Sequence, residues 1–258
     1  MTTGQESRFL ILTGDGINCA NETAWAFELA GGQADIVHIN DLLETPARLL
    51  EFDGMAFPGG FSFGDDLGSG QVMALKMRHA LGTELKDFVA KGSPIIGICN
   101  GFQMLTKLGL LPHPTRGRSV ALAPNLHGQF IDRWVTLERP HNSVCKWTEG
   151  LTQFDLPIRH GEGRVVFSRG QEKELYQELE QNGQIALQYS EDVNGSHANI
   201  AAICDPTGLI LGLMPHPEAH LFALHQPQQV EQPFAEGAGL KLFQNIITHL
   251  NRTSEVSS

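Results

Sequence analysis

What this 258-residue chain has little of narrows it before any motif is read. It has only four cysteines, at 19, 99, 145 and 204, and no CxxC pair. That spacing argues against both a disulfide framework and a zinc site. Basic residues are scarce: 18 Lys and Arg stand against 29 Asp and Glu, for a formal net charge of −11. A nucleic-acid backbone needs a basic face to sit on, so nucleic acid is not an expected partner. No apolar run approaches the roughly 20 residues needed to cross a bilayer, so no membrane partner is expected. The opening "MTTGQESRF" has no basic segment followed by an apolar stretch, so no secretory signal is expected. Neither a GxxxxGK[ST] phosphate loop nor a dinucleotide fingerprint occurs. The expectation is a cytoplasmic α/β protein with no ATP chemistry of its own.

What is present is a regular alternation. "RFLILTG" (8–14) reads as a buried strand and "ANETAWAFELAGG" as a helix closed by glycine. Further strands are expected at 34–40, 52–60 and 93–99, with helical spacing over 71–91 and in "NGFQMLTKLGLL". Strand–helix alternation over the first 110 residues implies a parallel sheet with right-handed crossovers. Ligands of such sheets bind beyond the carboxyl ends of the strands. The middle is more β-like, with short strand candidates at "SVALAPN", "RWVTLER" and "RVVFS". Residues 199–218 read as two strands around an Asp-Pro-Thr-Gly turn, and "GLKLFQNIITHL" (239–250) as the last helix. "LHQPQQVEQP" (224–233) reads as a surface loop. The whole chain, 1–258, is expected to be one domain with an ordered core over 8–250 and short polar tails.

Three expected strand ends carry chemistry-bearing residues. Gly97-Ile98-Cys99-Asn100-Gly101 has the spacing of a nucleophile elbow, in which a strand turns into a helix too tightly for flanking side chains. The elbow puts the sulfur at a helix N-terminus, where the dipole favours the thiolate that attacks. The Asn100 N–H points the same way and could hold an oxyanion. The competing reading is a packed core cysteine, which would need no flanking glycines. A nucleophile needs a base and the base an orienting group. Among eleven histidines, His216, two residues before Glu218 and stiffened by Pro217, is the best candidate, although "HPE" alone is a weak signal. His220, four residues after His216, hints at a metal pair, but Pro215 and Pro217 make a continuous helix there improbable, so no metal is expected. In "FPGGFSFGDD" (57–66), Gly59 and Gly60 let backbone approach a substrate, making the Gly60 N–H a second oxyanion donor; the plain alternative is a Pro-Gly turn. Gly59, Gly60, Gly64, Gly68 and Gly70 crowd this loop, and ordering it costs roughly 1–2 kcal/mol per residue. A docked partner could supply that ordering. Cys19, Cys145 and Cys204 read as packing residues, with Asn18-Cys19 able to line a surface near the rim at strand one but assigned no chemistry.

"PGGFSFGDD", "GICNGFQML" and "MPHPE", in this order, resemble the class I (triad) glutamine amidotransferases. Within that class, "NCANET", "GLLP", "HGEGR" and "NGSHANIAAI" are similar to the glutaminase-subunit family of phosphoribosylformylglycinamidine synthase. The resemblance spans about residues 9 to 218. It implies a flavodoxin-like, three-layer α/β sandwich with a mostly parallel central sheet that hydrolyses L-glutamine to glutamate and ammonia. Cys99 would attack, His216 would act as acid and base, Glu218 would orient it, and Gln103 would contact substrate. Ammonia would pass to a synthetase subunit that holds ATP and magnesium, with a small third subunit left open and no cofactor in this chain. "HGEGR" (160–164) is assigned to the docking surface. The chain departs from the family where Ala219-His220 follows "MPHPE" in place of the usual arginine, and where 219–238 is longer. Two other readings stay open. One is a free-standing cysteine hydrolase of the same fold, such as a γ-glutamyl hydrolase. The other is a non-catalytic binding module, against which an intact Cys99–His216–Glu218 set argues.

Overall fold

The computed structural model describes residues 6–228 and 231–256. In chain order the elements are β1 (Arg8–Thr13), α1 (Ala20–Leu29), β2 (Gln33–His38), α2 (Ile39–Glu44), β3 (Gly54–Phe57), α3 (Gln71–Ala80), α4 (Gly82–Ala90), β4 (Ile95–Ile98) and α5 (Asn100–Leu108). Then come β5 (Val120–Pro124), β6 (Ile131–Glu138), β7 (Gln153–His160), β8 (Glu162–Phe167), α6 (Glu172–Gln181), β9 (Ile185–Tyr189), β10 (Ile200–Cys204), β11 (Ile210–Leu213) and α7 (Ala238–Val256).

Nine strands form one sheet in the order β2-β1-β3-β4-β11-β10-β9-β6-β7, and β5 pairs with β8 in a separate ribbon. From β2 to β11 every neighbour is parallel; from β11 to β7 every neighbour is antiparallel. Following the directions across the sheet, only β10 and β6 run against the rest, so the sheet is mostly parallel, as expected. The inner parallel strands β3, β4 and β11 are apolar and buried throughout because helices cover both faces. The edge strand β2, QADIVH, is by contrast mostly half-exposed. Helix α1 carries the leftward β1-to-β2 crossover, whereas α3 and α4 carry the rightward β3-to-β4 crossover. Right-handedness therefore puts them on opposite faces. On the first face Phe27 of α1 stacks on Phe9 of β1, with centroids 4.1 Å apart, and meets Phe243 of α7 edge-on at 5.0 Å. On the second face α3 packs against α5.

The helix expected over 71–91 is two helices, because Leu81 leaves helical geometry (φ −119°, ψ 11°). The strand expected over 34–40 gives way to α2 at Ile39, and His38 caps it by accepting the Asn40 N–H. Four elements were not anticipated: α2, β7, α6 and β9. The loop expected over 224–233 includes Gln229 and Val230, which lie outside the described residues. Its described flanks are tied together by Ala223 N–H to the Ala235 carbonyl and Leu224 N–H to the Pro233 carbonyl, both 2.8 Å. No described helix is long and apolar enough to cross a membrane.

Candidate active site

The carboxyl ends of β1, β3, β4 and β11 meet at one rim. Cys99, directly after β4, has φ 51° and ψ −104°, a backbone conformation that costs a non-glycine residue about 1–3 kcal/mol. The flanking glycines are required sterically. A Cβ on Gly101 would lie 1.9 Å from the Phe57 carbonyl oxygen, and one on Gly97 2.7 Å from the Gly101 carbonyl. The turn therefore fits between β3 and β4 only without side chains, and it leaves the Cys99 thiol 3.6 Å from the Arg159 carbonyl. Asn100 starts α5, so its N–H has no carbonyl within the helix to donate to.

His216 and Glu218 follow β11. The His216 Nδ1 donates to Glu218 Oε1 at 2.6 Å, and both side chains are buried. That bond leaves Nε2 as the free nitrogen, and no described atom accepts from it. Burial alone would lower the His216 pKa. The Glu218 carboxylate, helped by the neighbouring Cys19 and Cys99, outweighs burial and raises it well above the ordinary value. The close approach depends on Gly59, where a Cβ would stand 2.8 Å from His216 Cε1 and 3.4 Å from Cys19 Sγ. A thiol beside a buried imidazole–carboxylate pair is the arrangement for nucleophilic attack with an oriented acid and base.

The glycine loop after β3 is not slack. Ile17 and Gly60 form an antiparallel bridge, flanked by Phe61 N–H to the Gly16 carbonyl (2.8 Å) and Asn18 N–H to the Gly59 carbonyl (3.3 Å). In a bridge of that kind the Gly60 N–H faces away from Ile17. Gly60, at φ 152°, has no room for a Cβ, which would lie 2.5 Å from the Gly16 carbonyl. Farther on, Asn100 ties the loop to α5: its Oδ1 accepts the Ser62 N–H (3.1 Å) and its Nδ2 donates to Asp65 (3.1 Å). Phe63, Asp65 and Leu67 all take left-handed φ values, so the strain the loop carries is not confined to its glycines.

Two adjoining hollows of about 130 and 280 Å³ share Gly60, Phe61, Cys99, Phe130 and Arg159 in their walls. The smaller also reaches Cys19 and His216; the larger reaches Gln103 and Glu162. Two sequence-based assignments change here. Cys19, read as a packing residue, is only partly buried and lies in the wall: one ligand atom each from Cys19, His216 and Glu218 fall within 4.8 Å of one another. "HGEGR", assigned to a docking surface, lines the larger hollow through His160, Gly161 and Glu162, because the β6–β7 hairpin leans back over the rim. The Pro157 carbonyl, on β7, accepts the His216 N–H at 2.9 Å. His220 does not face a shared metal position with His216. Its Nδ1 takes the Asp155 carbonyl on β7 at 3.0 Å, and its ring meets Trp134 edge-on. Gln103 lines the larger hollow with both polar ends engaged: Oε1 accepts from Asn100 Nδ2 (2.9 Å) and Nε2 donates to the Glu162 carbonyl (2.5 Å).

Residues 6–250 match the model of the CobB/CobQ-like glutamine amidotransferase domain. The chain belongs to this family. It is 43% identical to "phosphoribosylformylglycinamidine synthase subunit PurQ" of Dehalococcoides mccartyi, covering 92% of this chain and 95% of that one. The protein of the same name from Methanococcus maripaludis is 39% identical, over 95% of this chain and 99% of the relative. Among solved structures, a chain of PurLQS from Thermotoga maritima superposes with a TM-score of 0.74 at 30% identity, covering 95% of this chain and all of that one.

Proposed function

We propose that this chain is the glutaminase subunit of a phosphoribosylformylglycinamidine synthase in purine biosynthesis. The observation that carries the reading is Cys99 held on a strained elbow beside a buried His216–Glu218 pair. The near full-length likeness to PurQ proteins supports it.

In the reaction the Cys99 sulfur attacks the side-chain amide carbon of L-glutamine. The Gly60 and Asn100 N–H groups hold the oxyanion that forms. His216, protonated by virtue of its raised pKa, gives a proton to the departing nitrogen, and ammonia leaves a glutamyl thioester. The now neutral imidazole takes a proton from water, which attacks the thioester carbon. The carbon–sulfur bond breaks, releasing glutamate and leaving the Cys99 sulfur beside a protonated His216, as at the start. Glu218 holds the imidazole in the tautomer that presents Nε2 and balances its charge through both steps.

Ammonia goes to a synthetase subunit, and ATP and magnesium act on that partner. The site of action is the cytoplasm. The expected outcome of Cys99→Ala is loss of glutamine-driven synthesis by the assembled complex, with synthesis from ammonium salt retained. Residual glutamine hydrolysis near the native rate would remove Cys99 as nucleophile. Loss of both activities would sink the division of labour between the subunits.

A further inference from the structure

The elbow and the base face each other across the smaller hollow, and Cys19 enters the same wall from the end of β1. Its sulfur lies within 4.8 Å of a ring nitrogen of His216. The Cys99 sulfur stands beside the same imidazole from the end of β4. Both thiols make only weak bonds: Cys19 to Asn18 Oδ1 at 3.3 Å, Cys99 to the Arg159 carbonyl at 3.6 Å. His216 Nε2 is buried with no partner among the described residues, while Nδ1 is fixed by Glu218. The hydrolytic steps use Cys99 and His216 but give the Cys19 sulfur nothing to do.

Two sulfurs and one imidazole nitrogen are a donor set for a soft divalent cation. Zinc takes three such ligands at sites that keep a fourth position open. A ligating histidine characteristically gives its other N–H to a carboxylate, as His216 gives Nδ1–H to Glu218. Ligand atoms around a tetrahedral zinc stand roughly 3.5 Å apart, so small side-chain shifts bring this set into register. Two thiolates cancel the charge of the cation, so Arg159 in the wall opposes no net charge. His220, turned to the Asp155 carbonyl, has no part in the set.

We infer that Cys19, Cys99 and His216 form an inhibitory zinc site, in which one cation holds nucleophile and base together and stops glutamine hydrolysis. The metal takes the place of the protons on the two sulfurs and on Nε2, with no change of oxidation state, and its removal lets them return. The effect on turnover rests on the glutamine reading above; the binding itself does not.

The test uses the chain assembled with its synthetase, Zn2+ as the probe, and a chelator selective for zinc over magnesium to remove it. Zinc should suppress glutamine-driven synthesis reversibly and leave synthesis from ammonium salt unchanged. Co2+ in place of zinc should show the absorption of two thiolates on one metal, and of one thiolate in Cys19→Ser. Losing a group that only supports a ligand costs about 10- to 100-fold in metal affinity. Losing Cys19 itself should therefore raise the zinc needed for half inhibition by about 100-fold or more, each variant read against its own metal-free rate. Cys19→His, which returns a nitrogen ligand, should recover part of that loss, as a merely structural Cys19 would not allow. Half inhibition of Cys19→Ser at the native zinc concentration would overturn the site. So would zinc bound as tightly by Cys99→Ala as by the native complex, or equal suppression of ammonia-driven synthesis, which would put the metal on the synthetase. A native complex with the two-thiolate cobalt signal but no metal-free glutamine turnover would overturn the glutamine reading and leave the zinc site standing.

Discussion

The two halves of the central sheet build the site by different means. In the parallel half, from β2 to β11, position is set by contacts at bond-length scale. Gly101, Gly97 and Gly59 each stand where one methyl group would collide with backbone or with the base. In the antiparallel half, from β10 to β7, position is set by strand register and a few hydrogen bonds, such as Pro157 to His216 and Asn125 to the His160 carbonyl. The nucleophile and base therefore sit in a frame with no tolerance. The wall that faces the substrate leans on them from a segment that is tight at Gly163, where a Cβ would stand 2.7 Å from His160 Nδ1, but open at Gly161.

The sharpest way to break that contrast is to add the same methyl group to each half. At Gly101 it would fall 1.9 Å from the Phe57 carbonyl, so β3 and α5 must separate. The expected cost of Gly101→Ala is about 3 kcal/mol or more, because backbone cannot give way as a side chain can. At Gly161 the nearest atom to the new methyl is 3.7 Å away, on Phe130, and Gly161→Ala should cost less than about 1 kcal/mol. Urea unfolding midpoints of the two variants measure this directly. Similar losses at both positions would mean that the hairpin wall is as tightly specified as the elbow.

The same asymmetry decided what could be read from the sequence. Tight turns need glycine, and the glycines of "PGG" and "GICNG" marked the rim in the chain itself. The inner strands of the parallel half, β3, β4, β11 and the centre of β1, are continuous apolar runs that stand out in the chain. The hairpin left no such mark. In β7, "QFDLPIRH" carries a proline and two charges, and only its 156–158 stretch and His160 are buried. Nothing local says that it folds back to line a pocket. Helix α6 was missed because a single residue, Leu179, is fully buried on an otherwise polar helix. The role of "HGEGR" was misplaced on the same ground: charge beside glycine reads as surface unless one knows that β7 joins the sheet at the edge farthest from β2 and returns over Cys99. Cys19 was read near the rim but given no chemistry, because its partners, Gly59 and His216, come from two other strand ends.

A smaller effect, confined to the hairpin half, should come from His160. It is 3% exposed, its Nδ1–H donates to Asn125 Oδ1 at 3.1 Å, and its Nε2 faces no acceptor. Burial, with the charge of His216 adding to it, lowers its pKa to about 4. The unfolded chain binds a proton there near pH 6.5, so between these values the unfolded state holds more protons. The stability tied to neutral His160 is thus complete above about pH 6.5 and is lost as pH falls toward 4, by up to about 3 kcal/mol. His160→Gln keeps a donor for Asn125 and removes the titration. The variant should lose less stability than the native chain between about pH 7 and pH 5, read as the shift in urea midpoint. Parallel pH profiles would show that His160 does not carry the acid sensitivity of this half.

The smallest change tests the boundary of the parallel half's rigid frame, at Cys19. This thiol follows the end of β1, donates to Asn18 Oδ1 at 3.3 Å, and is among the groups that raise the His216 pKa, behind burial's opposing pull and the larger contribution of Glu218. Its position beside the imidazole lets it support the charged form without contacting the scissile amide. Cys19→Ser retains a small polar group there and should reduce glutamine turnover by less than about 10-fold, whereas Cys99→Ser should abolish it. Cys19→Ala removes the polar group and should lower the His216 pKa. The alkaline limb of the turnover profile, where His216 loses the proton it must give to ammonia, would then move to lower pH. A Cys19→Ser loss as large as that of Cys99→Ser would place essential chemistry on β1 as well as on β4. An unmoved alkaline limb in Cys19→Ala would leave Glu218 as the group that sets the charge of His216.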